Sequence, residues 1–315
     1  MQSLALGLFN GVSYGMLLFL MAAGLTLVFS MLGILNFAHP AFYMLGAYFA
    51  YTFSQLLGLG YWCGLLAAPL CCALLGAAVE RLFIRRVIRF GLLGPLLLTF
   101  GLEIVFVEAA TLLWGKQPVA YAVPPSLDFP LFSLYGIDYS AYRAFTLAMT
   151  LVVLAGLFLL LKRTRIGTTV RASLSHPDIV NALGHNLPRL RTNVFALGAA
   201  LAGLAGALSG NLIGTEPGMA NQLGTILMIV IVVGGLGSLA GAFVSSLLIG
   251  VLQTLVVSTQ ISWADLLAPL GSVMHGLAAS GSLAEPLSRF APLVPFAIVI
   301  VVLAIRPRGL MGQRH

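Results

Sequence analysis

Two carboxylates stand inside one hydrophobic run of the chain, Glu103 and Glu108 within Leu92–Trp114. A charge at a bilayer centre costs about 2.5–3.5 kcal/mol on insertion scales. An acid placed there is either protonated or hydrogen-bonded between helices, or it lines a polar path. The two acids are five residues apart, roughly 140° around a helix of about 3.6 residues per turn, so one narrow path can take only one of them. A second polar set, Asn36, His39 and Tyr43, falls near one face at helical spacing. Pro40 follows His39 directly and makes a good first helical residue. A helix starting there carries about half a positive charge and unpaired N–H groups at its N-terminus, which suits a carboxylate or an electronegative carbonyl. Asn36 donates and accepts, and His39 does either according to its tautomer. The competing reading is that Asn36 and His39 only satisfy backbone groups exposed by a kink.

The third chemical feature is the basic stretch Lys162–Arg191, KRTRIGTTVRASLSHPDIVNALGHNLPRLR. It carries Lys162, Arg163, Arg165, Arg171, Arg189 and Arg191 against one acid, Asp178. A short helix is punctuated inside it. Ser175 suits an N-cap, Pro177 is tolerated in a first turn, and Asp178 stands at capping-box spacing from Ser175. Gly184 is placed to end the helix in a left-handed conformation. Ile179, Val180 and Leu183 form a small apolar face. Two turns are marginal alone in water, so the helix docks either on a partner or on lipid.

These groups need elements to position them, and the composition says which. Hydrophobic residues make up 60% of the 315 and charged residues 8%, with mean hydropathy +1.03. Soluble domains carry about 25% charged residues. The chain is therefore an all-α polytopic integral membrane protein. The pI of 9.7 does not indicate nucleic acid, because the bases sit at helix ends and are too few for a polyanion groove. A span needs about 20 apolar residues. Candidates are Leu4–Phe29, Pro40–Leu57, Tyr61–Val79, Leu92–Trp114, Phe145–Leu161, Val194–Leu212 and Phe290–Ile305. Leu223–Val257 is too long for one span and is interrupted by GGLGSLAG, so it counts as two segments or as one span plus a re-entrant half-helix. The total is about eight or nine. No basic region precedes the first hydrophobic stretch, which reads as a transmembrane helix and not as a signal peptide.

Positive charge sets the orientation. Arg81, Arg85, Arg86, Arg89, the six bases of the Lys162–Arg191 stretch, Arg306, Arg308 and Arg314 all fall on one side, thirteen of 16. The N-terminus is then external and the C-terminus cytoplasmic. The outer segments Gly115–Tyr142, rich in proline, and Ile261–Arg289, with a short interfacial helix around Leu266–Ala279, are connectors or docking surfaces for a soluble partner. Gly7, Gly11 and Gly15 form GxxxGxxxG, and Gly206 with Gly210 another. Such faces allow close backbone approach, within the chain or against another subunit. Gly33–Phe42 lies over Gly234–Phe243 at an offset of 201, which pairs the break at Asn36–Pro40 with one at Gly237–Ser238. Matched interruptions in two halves point to a transport site near the midplane, and Ser238 suits a cap there. Chance similarity among small residues gives the same pattern.

Enzyme signatures are missing from the sequence. There is no P-loop, HExxH, GxSxG or paired-carboxylate arrangement, and Cys63, Cys71 and Cys72 share one hydrophobic run without metal-ligand spacing. No catalytic or metal-binding residue is expected.

The motifs ILNFAHPAFYMLGAYFAY (Ile34–Tyr51), ERLFIRR (Glu80–Arg86), TFGL followed by LLWG, the Lys162–Arg191 stretch and VVGGLGSLAGAFVSSLLIG (Val232–Gly250) resemble the permease subunits of branched-chain amino acid ABC importers, a family that also serves urea, short amides and some aromatic acids. The resemblance covers nearly the whole chain. It implies one permease domain over residues 1–315 in a bacterial inner membrane, with 162–192 a cytoplasmic loop. It also implies a second permease, two cytoplasmic ATPases that bind ATP and Mg, and an external substrate-binding protein, with no cofactor in this chain. By the same resemblance Asp178, Ile179, Val180, Ala182, Leu183 and Gly184 form a coupling helix that enters a groove on an ATPase. The translocation pathway would take Asn36, His39, Tyr43, Glu103, Glu108, Gly237 and Ser238. The sequence departs from the family in having Pro40 and Ala41 after His39, where many members have glycine and an acid, and in the two intramembrane glutamates. A stand-alone ion-coupled transporter with Glu103 as coupling carboxylate is the alternative class.

Overall fold

Inside lipid every backbone polar group must be satisfied within its own segment, so the apolar runs fold as helices. The computed structural model describes residues 2–134, 137–175, 177–184, 186–259 and 286–312. The helices are α1 (Gln2–Leu32), α2 (His39–Tyr51), α3 (Tyr61–Val79), α4 (Arg85–Val87), α5 (Leu93–Trp114), α6 (Ala141–Arg163), α7 (Arg165–Ser175), α8 (Pro177–Ala182), α9 (Leu187–Ile213), α10 (Met219–Gly234), α11 (Leu239–Ser258) and α12 (Val294–Ile305). A π turn, Thr52–Leu56, prolongs α2, and a second, Glu80–Ile84, joins α3 to α4.

Among the described residues seven helices are long and apolar enough to cross a membrane. Two shorter ones, α2 and α10, complete the bundle. The run Leu223–Val257 is thus two helices, α10 and α11, broken at residues 235–238. The expected interfacial helix at Leu266–Ala279 lies outside the described residues. One element departs from an all-helical chain. The proline-rich outer segment contains a small antiparallel hairpin, β1 (Pro130–Leu134) with β2 (Ile137–Ser140). Phe132 and Tyr139 of this hairpin stack on each other and meet Phe9 of α1.

The core lies where α1 packs along α11 and α9, and where α9 packs in turn on α2 and α3. Small residues make these contacts possible. A β-carbon on Gly11 would lie 2.7 Å from Val251 Cα, and one on Gly250 would lie 2.5 Å from Gly15 Cα. At Gly206 it would lie 1.9 Å from the Tyr43 carbonyl oxygen. Both glycine motifs are therefore spent on packing within the chain. Gly206→Ala should separate α9 from α2 and destabilise the protein by about 1–3 kcal/mol, the usual cost of overpacking; a lowered melting temperature in detergent would register it.

The two ends of the bundle differ in chemistry. At one end Leu32 of α1, Glu80, Ile84, Arg85, Pro188 and Arg191 line one small pocket. The tail joins the same end. Leu310 N–H donates to Val233 C=O (2.8 Å) and Met311 N–H to Gly234 C=O (3.0 Å). At the other end the Trp114 indole donates to Thr52 Oγ1 (2.9 Å), and the Tyr121 hydroxyl to Ala207 C=O (2.5 Å). Burial pushes the Tyr121 phenol well above its ordinary pKa.

Candidate functional site

The first break is built by its own polar residues. After α1 the chain reverses at Gly33, whose φ of +67° favours glycine. Asn36 Oδ1 then accepts from Ala38 N–H (3.2 Å), and Thr99 Oγ1 of α5 accepts from Phe37 N–H (3.2 Å). His39 Nε2 is 3.1 Å from the Met21 carbonyl in α1. A carbonyl only accepts, so Nε2 carries the proton. Met21 precedes the end of α1 by 11 residues, about 16 Å at 1.5 Å per residue. The helix α2 therefore begins well inside the bundle. Asn36 and His39 are fully buried, and Asn36 Nδ2 and His39 Nδ1 have no partner among the described residues.

Beside this break lies a cleft of ≈ 250 Å³ between the start of α2, α5 and α10, lined by Phe37, Pro40, Glu103, Asn221, Gly224, Thr225 and Met228. Of the seven pathway residues expected from the sequence only Glu103 lines it, together with Pro40 of the expected helix start. Glu108 is exposed on another face of α5, as the angle between the two acids requires. Asn36 and His39 are buried and do not line the cleft. The Tyr43 hydroxyl is 2.6 Å from Ser209 Oγ on α9, and Tyr43 does not line the cleft. The second break lies elsewhere. Ser238 caps α11 by accepting from Gly241 N–H (3.0 Å), and Gly237, at φ +81°, accepts from Ser30 Oγ (3.1 Å). That contact sets Gly237 and Ser238 beside the last turn of α1, away from the cleft. Asn221 and Thr225 were not evident from the sequence. They stand four apart on α10, and which face that helix turns inward depends on α2 and α11.

The punctuated helix forms as α8. Leu183 N–H donates to Ile179 C=O (2.9 Å), and Gly184, at φ +83°, donates to Asn181 C=O (3.0 Å). Val180 is 3% exposed, whereas Ile179 is 55% and Leu183 73% exposed; Ala182 and Gly184 are exposed as well. The expected capping roles of Ser175 and Asp178 fall on side chains outside those described. Next to α8 a polar cluster ties α9 to the π turn after α3. Glu80, 1% exposed, receives Arg85 Nη2 at 3.1 Å and Thr192 Oγ1 at 2.5 Å. Arg85 Nη2 also donates to Pro188 C=O (2.9 Å) and to Thr192 Oγ1 (2.7 Å). In the sequence Glu80 appears only as one acid among bases.

A bundle of span-length helices, two shorter broken helices and a polar cleft beside one break define a multi-pass membrane permease. The family model of the branched-chain amino acid transport system permease component matches residues 7–304, and the chain belongs to that family. The chain is similar to the high-affinity branched-chain amino acid transport system permease protein BraD of Pseudomonas aeruginosa, 28% identical over 97% of this chain and 95% of the relative. It is also similar to the permease protein LivH of Escherichia coli K12, 26% identical over 97% and 94%. The probable branched-chain amino acid permease LivH of Methanocaldococcus jannaschii is 27% identical over 78% of this chain and 79% of its own length. No solved structure matches.

Proposed function

We propose that this permease carries branched-chain amino acids inward as one membrane subunit of an ATP-driven importer. A second permease, two cytoplasmic ATPases that bind ATP and Mg, and an external binding protein complete the complex, which sits in a bacterial inner membrane. The basic end of the bundle is cytoplasmic, because positive loops stay on that side. The N-terminus is then external. The observation that carries the reading is α8, a two-turn helix at the basic end, anchored by Val180 and presenting Ile179 and Leu183 outward. Such an apolar edge suits the groove of an ATPase. The cleft at Glu103 is the pathway face, and Asn36, His39 and Tyr43 fix the broken helix behind it.

Reconstitution with these partners tests the proposal. Leucine uptake should require ATP and loaded binding protein. Uptake by this chain alone, driven by an ion gradient, would overturn the proposal in favour of a secondary transporter. The orientation has its own test. In a background without Cys63, Cys71 and Cys72, Ser126→Cys should react with an impermeant thiol reagent from outside and Thr168→Cys only from inside; both positions are exposed. Reaction of both from one side would reverse or break the topology.

A further inference from the structure

We infer that Glu103 is the group that selects solutes bearing a primary ammonium as they pass this permease; the inference rests on the cleft being part of the pathway. The protein shows how it treats an acid whose role is structural. Glu80 is buried, ion-paired to Arg85 and bonded to Thr192. Glu103 has none of this. Its carboxylate makes no hydrogen bond or ion pair among the described residues. It opens into the cleft, with Oε1 3.9 Å from the position a β-carbon on Gly224 would take. Among the described residues no lysine, arginine or histidine lines that cleft, and its other polar residues, Asn221 and Thr225, are neutral. An unpaired carboxylate at membrane depth is costly; a proton or a cation relieves that cost, and the open cleft beside Glu103 gives a cation access to it.

The surroundings fix what kind of cation fits. The cleft, ≈ 250 Å³, lies below the roughly 300–1,000 Å³ of drug-sized sites, so it takes a small solute. One carboxylate with an amide and a hydroxyl is too sparse a set for a bound divalent metal, which takes several oxygen or nitrogen ligands. The same set suits an alkylammonium. The charge meets Glu103, the Asn221 amide and the Thr225 hydroxyl supply neutral donors and acceptors, and Phe37, Pro40 and Met228 offer apolar wall to a side chain. Gly224 keeps the approach to Glu103 open, because a side chain there would meet the Pro40 ring at 3.1 Å. Neutral amides, urea and free carboxylic acids lack the group that this acid would bind.

The test uses the assembled permease–ATPase complex without binding protein, so that the binding protein's own selectivity does not intervene. Thr225→Cys, in the background without other cysteines, reports on the cleft through its rate of reaction with a thiol reagent. Leucine and L-leucinamide, which keeps the ammonium and lacks the carboxylate, should both slow the reaction. 4-Methylpentanoate, which keeps the carboxylate and lacks the ammonium, should not. Adding Glu103→Gln should weaken protection by leucinamide about 10- to 100-fold, as expected for loss of a charged hydrogen bond, and Glu103→Asp should restore part of it. Four outcomes overturn the inference. If leucine itself leaves Thr225→Cys unprotected, the cleft is off the pathway and the inference falls with that reading. If leucine protects equally with glutamine at 103, only the role of Glu103 falls. Equal protection by 4-methylpentanoate removes the ammonium selectivity. If Glu103→Gln separates the two permease subunits, the acid pairs with a cation of the second permease instead.

Discussion

Leu183→Asp should abolish ATP-driven uptake while leaving the membrane subunit folded. Leu183 follows the last turn of α8 and is 73% exposed, so the folded permease loses little when it changes. Docked in an ATPase groove, the same side chain would contribute about 1.5–3 kcal/mol by burial, worth about 10- to 100-fold in docking affinity. An aspartate reverses that term and adds the cost of burying a charge. Ile179 lies one turn earlier on the same edge and should show a weaker version of the effect. Gly184→Val acts by another route. Its φ of +83° is a left-handed conformation that costs most residues about 1–2 kcal/mol, so the segment leading to α9 would leave α8 in a different direction. Both variants should retain their melting temperature within a few degrees and lose coupling between ATP hydrolysis and uptake. Normal uptake in both would show that α8 does not dock on the ATPase.

Arg85→Leu should destabilise the permease more than any other single change in the cluster that ties α3 to α9. The asymmetry in burial decides this. Glu80 is 1% exposed and Arg85 41%. Removing the arginine leaves a buried carboxylate with one hydroxyl donor, Thr192, and breaking a buried pair in this way costs about 3–5 kcal/mol. Glu80→Leu leaves the cation partly in water, still bonded to Pro188 C=O and Thr192, and costs less. The double replacement by leucine should recover much of the loss, since a buried pair is often matched by apolar residues of similar volume. Melting of the four proteins in detergent forms a double-mutant cycle. The Arg85→Leu shift should be on the order of 10 °C, and strict additivity would show that the pair is not coupled. Because Pro188 and Thr192 begin the helix that follows α8, Arg85→Leu should also loosen coupling of ATP hydrolysis to uptake.

The spans were legible because lipid forces apolar runs into helices, and no tertiary contact has to be known to see them. Gly33, Pro40, Gly237 and Ser238 announced both breaks, since positive φ, a first-turn proline and an N-cap are local requirements. The same local grammar marked α8 from Pro177 to Gly184. What stayed hidden depends on neighbours. Gly206 is as compatible with a dimer interface as with the Tyr43 carbonyl, and only the packed bundle distinguishes them. The partners of Asn36 and His39, Ala38 N–H and the Met21 carbonyl, stayed hidden because the sequence gives polarity and not partners. Asn221 and Thr225 resembled any polar residues near a helix start. The hairpin carried a partial signal, the alternation Ile-Asp-Tyr-Ser after Gly136, which the prolines at 124, 125 and 130 obscured.

The long-range closure of α1 on α9 and α11 has a consequence for how the chain is made. At about 5–20 residues per second, the roughly 200 residues between the end of α1 and the start of α11 take about 10–40 s to synthesise. Through that interval the notch of Gly11 and Gly15 faces lipid or whatever the insertion machinery supplies, and Tyr43 waits for Ser209, 166 residues downstream. The hydrogen bond from His39 to Met21 is available at once, because its partner is already in the membrane. That early clasp holds α2 against α1 while the remaining walls are being translated. A nascent chain stalled before α9 would therefore keep the His39–Met21 contact and lack the surface that completes the bundle.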